Sequence, residues 1–131
     1  MGPSIVKPKF LLDSVILIDH LRGIESATGW LDRLEEGEAV ISVVTRAEVL
    51  SGGSEEEAYS ARKICDKFEC VSLTKDDATV AAALRRENGW KLPDALQAAL
   101  AKRMDIKLVT RDARGFGDKN HSFAFCPYKL K

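Results

Sequence analysis

Three short, unbroken apolar runs, Phe10 to Leu12, Ala39 to Ser42 and Ile106 to Thr110, constrain the fold of this chain more than any other feature. A strand with one wet face alternates apolar and polar residues, whereas a strand covered on both faces does not, so the runs predict short strands of a covered parallel sheet. Helical patterns lie between them. Ser54 with Glu57 is a capping-box signature, and Ala58, Ala61, Cys65 and Phe68 follow at helical spacing, which predicts a helix from about 55 to 68. Thr74 with Asp77 repeats the start signal, and the pattern runs through Ala81 and Leu84 to Gly89, a residue suited to a left-handed C-terminal cap. Pro93 fits a first helical turn, Asp94 favours the positive end of the helix dipole, and Ala95 to Lys102 continues the helix. Ala27, Trp30, Leu31 and Leu34 predict a further short helix, and Thr45 to Leu50 another before Gly52 and Gly53. Strands alternating with helices imply right-handed crossovers and an open α/β sheet with helices on both faces.

At 131 residues, 45% of them hydrophobic, the chain has the size of one domain, and no repeat, linker or low-complexity stretch divides residues 1 to 131. The longest apolar run is five residues, Val80 to Leu84, against the roughly 20 that a membrane span needs. Met1 to Ser4 shows no signal pattern, and Val6 stands where a myristoylation signal has Ser or Thr; the expectation is a cytoplasmic protein without a membrane partner. Cys65, Cys70 and Cys126 lack paired metal-ligand spacing and are expected to be small buried hydrophobes in a reducing compartment. Twenty Lys and Arg balance twenty Asp and Glu, which argues against a generally basic duplex binder. The balance is a cancellation, with 11 basic and 16 acidic side chains in residues 1 to 90 and 9 and 4 in residues 91 to 131.

Ligands of open α/β sheets gather beyond the carboxyl ends of the strands, which singles out four acids. Asp13 closes the first apolar run, Asp112 follows the last, Glu48 lies on the helix after Ala39 to Ser42, and Asp94 opens its own helix. They are 35, 46 and 18 residues apart, so only the fold, not a local loop, can collect them. Each alone is what a turn or a helix cap uses. Gathered, they repel one another, and hard divalent cations such as Mg²⁺ or Mn²⁺, which bind through a few carboxylates together with substrate phosphate, relieve that repulsion. Phosphodiester hydrolysis by metal-bound water suits a chain with no convincing Ser-His-Asp or Cys-His set. Asp19 reads as a solvated helix-end acid or an accessory ligand, Asp76 and Asp77 as helix-start charges, and Asp118 as a turn residue or a late ligand.

These residues resemble the PIN-domain nucleases, and among them the toxin ribonucleases of VapBC-type toxin–antitoxin pairs. The stretch from Asp13 through Ser14 to Asp19 is similar to the family's opening Asp, small hydroxyl residue and apolar run. Ile41 to Glu48 is similar to its Ile-Ser segment leading to a Glu. Leu92-Pro93-Asp94-Ala95 followed by Leu108-Val109-Thr110-Arg111-Asp112 resembles its Pro-Asp-Ala helix and Val-Thr-Arg-Asp strand end. The resemblance covers nearly the whole chain and implies a three-layer α/β/α fold around a mostly parallel twisted sheet. It further implies Mg²⁺- or Mn²⁺-dependent endoribonuclease activity, a homodimer, and a cognate antitoxin that covers the site. By position it makes Asp13, Glu48, Asp94 and Asp112 the metal-binding and catalytic acids, with Ser14 and Thr110 in support. Val15 departs from the Asn or Ser that many members carry there.

Two other readings compete. One is a catalytically silent PIN-like module that binds RNA or protein. The other is a phospho-accepting receiver domain, against which stand Ser14 and Val15 after Asp13, where neighbouring acids are needed, and the absence of an acid in Cys70 to Leu73. For an RNA substrate, Arg111 and Arg114 flank Asp112 and are expected to meet phosphates, while Lys102, Arg103, Lys107 and Lys119, in the same third of the chain, read as further phosphate contacts or as a solvated basic rim. Trp30, beside Leu31 and Leu34, reads as a packed or partner-facing residue, and Trp90 is open between packing and base stacking.

Overall fold

A computed structural model describes residues 7 to 116 and 123 to 130. The elements run β1 (Phe10–Leu12), α1 (Ser14–Leu21), α2 (Glu25–Asp32), β2 (Ala39–Ser42), α3 (Val43–Ser51), α4 (Glu55–Cys65), β3 (Glu69–Val71), α5 (Lys75–Asn88), α6 (Leu92–Met104), β4 (Lys107–Val109) and β5 (Ala124–Phe125). A single 3₁₀ turn, Ala113–Phe116, follows β4. The five strands form one parallel sheet in the order β3-β2-β1-β4-β5. Among the described residues six helices flank it, giving the three-layer α/β/α architecture expected from the alternation of elements. The order is not the 2-1-3-4-5 of receiver domains, so that alternative is lost.

The apolar runs lack alternation because both faces of each strand are covered. Leu11, Val40 and Leu108 enter a core with Ala81, Leu84 and the α6 residues Ala95, Ala98 and Leu100. Their neighbours Leu12, Ile41 and Val109 enter a second core with Ile16, Leu17, Val49 and Ile64. Each fully buried Leu or Ile contributes roughly 1.5–3 kcal/mol of transfer free energy, so adjacent residues of one strand stabilise opposite layers. Helix α6 is buried on most of its circumference, and its run of alanines lets it lie close under the sheet.

Both predicted capping boxes are present, Ser54 with Glu57 on α4 and Thr74 with Asp77 on α5, and Gly89 ends α5 at φ 71°. Helix α4 stops at Cys65, ahead of the expected 68. Helix α1 is the main difference from the sequence reading, since Val15-Ile16-Leu17-Ile18 carries no polar punctuation and its β-branched residues resemble a strand. The Asp13 side chain caps α1 by accepting a hydrogen bond from the Ser14 N–H at 2.8 Å, which turns the chain from strand to helix. Trp30 packs edge-on to Phe10 with ring centroids 5.4 Å apart, as expected. Trp90 packs in the same way against Phe116 at 5.1 Å. Cys65 is buried, but Cys70 is exposed on β3 and Cys126 half-buried, so the expectation of three buried thiols holds for Cys65 alone. Among the described residues no helix is long and apolar enough to cross a membrane.

Candidate active site

Strand β1 lies between β2 and β4, and the chain winds outward in one direction to β3 before returning to β4 on the other side. The carboxyl ends of β1 and β4 therefore flank the switch point of the sheet, where the loops part and leave a crevice. A cleft of about 340 Å³ opens there, lined by Asp13, Val15, Asp94, Thr110, Arg111, Asp112, Gly115 and Phe116. Three acids from three segments distant in sequence thus share one cavity: Asp13 as the cap of α1, Asp94 from the first turn of α6, and Asp112 from the turn after β4.

Thr110 joins two of them, donating from its hydroxyl to Asp13 Oδ2 at 2.8 Å and accepting the Asp112 N–H at 3.2 Å. Burial raises the Asp13 carboxyl above its ordinary 3.8, and the Asp112 charge adds to the rise, while hydrogen bonds from Thr110, the Ser14 N–H and Gln97 oppose it. Asp94 is raised by burial and then by Asp13 and Asp112, with Lys91 pulling the other way. Glu48 stands apart, on the wall of a neighbouring groove of about 240 Å³ between α1, α3 and α4. It still feels the cluster: partial burial raises its carboxyl, Asp13 and Asp94 raise it further, and a hydrogen bond from the Ser14 hydroxyl lowers it. Ser14 thus sits between Asp13 and Glu48 as Thr110 sits between Asp13 and Asp112.

Gln97 was not marked by its sequence context except as a polar residue inside an Ala- and Leu-rich helix. It is 1% exposed, accepts from Ser42 Oγ at 2.6 Å and donates to Thr45 Oγ1 at 2.6 Å. Ser42 caps α3 through the Thr45 N–H, and Thr45 Oγ1 donates to the Leu12 carbonyl at 3.0 Å. The network fixes the helix that carries Glu48 and the helix that carries Asp94 against the residue before Asp13. Gly115 supports Asp112 differently, because a Cβ at that position would lie 2.9 Å from the Asp112 carboxylate.

Several basic residues expected on a phosphate path have other partners. Arg103 pairs with the buried Asp77, Nε to Oδ1 at 2.8 Å, and Lys102 lies over the Phe123 ring at 5.4 Å. Lys107 starts β4, at the opposite end of the strand from Thr110, and Lys119 and Asp118 lie outside the described residues. Arg111 lines the cleft with its guanidinium committed to Asp19. The expectation of a solvated acid fails at Asp19, which is 1% exposed, and Asp77 is a buried ion-pair partner as well as a helix-start residue.

Among the described residues no three acidic, His or Cys side chains form a ready-made cation cage. Magnesium does not require one, because it keeps several waters and binds through one or two carboxylates plus phosphate oxygens. Three mutually repelling carboxylates around an open cleft fit a hydrated hard cation of this kind.

The PIN-domain family pattern matches residues 10–121 of the sequence. The chain belongs to the PIN-domain family. Ribonuclease VapC10 of Mycobacterium tuberculosis (strain ATCC 25618 / H37Rv) is 34% identical over 106 residues, covering 76% of this chain and 80% of the relative. Among solved structures, a toxin–antitoxin complex from Klebsiella pneumoniae has a chain 29% identical with a TM-score of 0.82, covering 93% of this chain and all of its own length. A DNA-bound VapBC from Salmonella typhimurium superposes with a TM-score of 0.80 at 19% identity over 92% of this chain and 99% of that one, a likeness of fold.

Proposed function

We propose that this PIN-domain protein is a divalent-metal-dependent endoribonuclease and the toxin of a toxin–antitoxin pair. The observation that carries the reading is the meeting of Asp13, Asp94 and Asp112 in one cleft at the switch point of the sheet. The relative named as a ribonuclease and the neighbour solved as a toxin–antitoxin complex support RNA as the substrate and an antitoxin as the partner.

Asp13, Asp94 and Asp112 would hold Mg²⁺ or Mn²⁺, with Glu48 completing the acidic set from the adjoining groove. When bound, such an ion supplies a water acidic enough to attack near neutral pH and neutralises the phosphodiester oxygens. The chain's own residues prepare this site. Thr110 and the Ser14 N–H each give the Asp13 carboxylate a hydrogen bond, keeping it in the charged form that a cation needs. Ser14 does the same for Glu48 through its hydroxyl. Arg114, exposed on the 3₁₀ turn beside Asp112, is the phosphate contact in this reading. A homodimer and a cytoplasmic location complete it.

Expression in a bacterial host tests the toxin reading. Growth should stop on induction, continue with Asp13→Asn, and be restored by the antitoxin encoded beside the gene. Equal growth arrest by wild type and Asp13→Asn would overturn the reading and favour a module that binds without cutting.

A further inference from the structure

The buried acid Asp19 lies in the last turn of α1. Its Oδ2 accepts from Arg111 Nε at 2.6 Å and from the Tyr128 hydroxyl at 2.8 Å, and its Oδ1 accepts from Arg111 Nη2 at 3.2 Å. With both oxygens engaged and 1% exposure, Asp19 has no open side from which to reach an ion in the cleft. Its partner, by contrast, stands directly between Thr110 and Asp112. The stretch after β4 is therefore fastened to α1 twice, by Thr110 to Asp13 at the N-terminus of the helix and by Arg111 to Asp19 near its C-terminus. The segment after β5 closes on the same stretch, with the Cys126 thiol 3.6 Å from the Arg111 carbonyl and 3.1 Å from that of Tyr128. Burial and the Asp19 carboxylate both hold the Tyr128 phenol protonated, so it remains a donor at any working pH.

An ion pair with one buried partner is a weak source of stability, because desolvating the buried charge offsets much of the attraction. What the pair does supply is a fixed direction, since a bidentate guanidinium fork on a carboxylate admits one orientation. We propose that Asp19, Arg111 and Tyr128 are positioning residues that hold the Asp112 turn against α1, so that Asp112 and Asp13 face the same cation. Arg111 is accordingly an internal tether and not a phosphate contact. The proposal rests on the nuclease reading only for the purpose of the tether; the tether itself is testable without RNA.

Three variants separate positioning from folding. Asp19→Asn removes the charge, Tyr128→Phe removes one hydrogen bond, and Asp19→Leu with Arg111→Met replaces the pair by apolar groups of similar size. Amide hydrogen exchange read by mass spectrometry reports on the tether, and calorimetric Mn²⁺ binding reports on the cleft. The expected result is faster exchange confined to residues 110–116 in Asp19→Asn and in the double variant, and a smaller change of the same kind in Tyr128→Phe. Mn²⁺ dissociation constants should rise about 10-fold in Asp19→Asn and in the double variant, with kcat falling and KM for RNA unchanged. Unchanged exchange at 110–116, or acceleration spread evenly over the chain, would overturn the proposal, the second showing a merely structural pair. Wild-type protein that takes up no Mn²⁺ would overturn the nuclease reading instead, and exchange alone would then decide the tether.

Discussion

At the scale of single residues, the site consists of acids made uncomfortable by one another and small groups that make them tolerable. Asp13, Glu48 and Asp94 are all raised by burial first and by neighbouring acids second. All four candidate acids were singled out in the sequence, Asp13, Asp94 and Asp112 by their places at strand ends or a helix start and Glu48 by its place on the helix after the second apolar run. Gln97 and Gly115 were not, because the value of a buried amide or a missing Cβ depends on what lies opposite. The 2.9 Å approach at Gly115 makes a definite expectation. Gly115→Ala should displace the Asp112 carboxylate and lower RNA cleavage about 10- to 100-fold, the range seen when groups that orient metal ligands are disturbed. Kinetics beside a melting curve check this, with the melting temperature expected to stay within a few degrees.

At the scale of elements, strands β1 and β2 match the apolar runs residue for residue, and β4 falls inside the third. Strand β3 was faint because an edge strand with exposed Glu69 and Cys70 has no apolar run to show, and β5 is two residues long. Helix α1 was marked in the sequence only through Asp19 as a helix-end acid, because apolar β-branched residues suit a covered strand as well as a covered helix, and Asp13 as a cap distinguishes them. Helices α5 and α6 are joined by Arg103 and the buried Asp77. Burial alone would raise the Asp77 carboxyl, but hydrogen bonds from Arg103 and Thr74 outweigh it and hold the group below its ordinary 3.8. Its stabilising contribution is thus present above that value and is lost as the pH falls through the lowered one. Arg103→Ala should cost about 1–3 kcal/mol at pH 7, the penalty of a buried acceptor left unpaired, measured by urea unfolding.

At the scale of the molecule, part of the charge cancellation along the chain is made by direct pairing between its basic and acidic parts. Arg103 and Arg111, from the basic final third, turn inward to Asp77 and Asp19, acids of the first two thirds. The surplus that matters is the acidic one in the cleft. Because Asp13, Glu48 and Asp94 are held above their ordinary values, the stability they allow is full below about pH 4 and is lost as the pH rises through the raised values. A cation that binds the ionised cluster should return it, by about 2.7 kcal/mol at 100 times its dissociation constant. Thermal unfolding should therefore show Mg²⁺ raising the melting temperature at pH 7.5 and leaving it unchanged at pH 4. An equal gain at both would mean that Mg²⁺ binds elsewhere.

In the proposed function the cleft acids, through a divalent cation, cut RNA. Purified wild type and Asp94→Asn, incubated with a panel of transfer, ribosomal and messenger RNAs in Mg²⁺ or in EDTA, test it most directly. Wild type should give endonucleolytic products in Mg²⁺ alone, and Asp94→Asn none. Undiminished, EDTA-sensitive cleavage by the Asp94→Asn protein would contradict it.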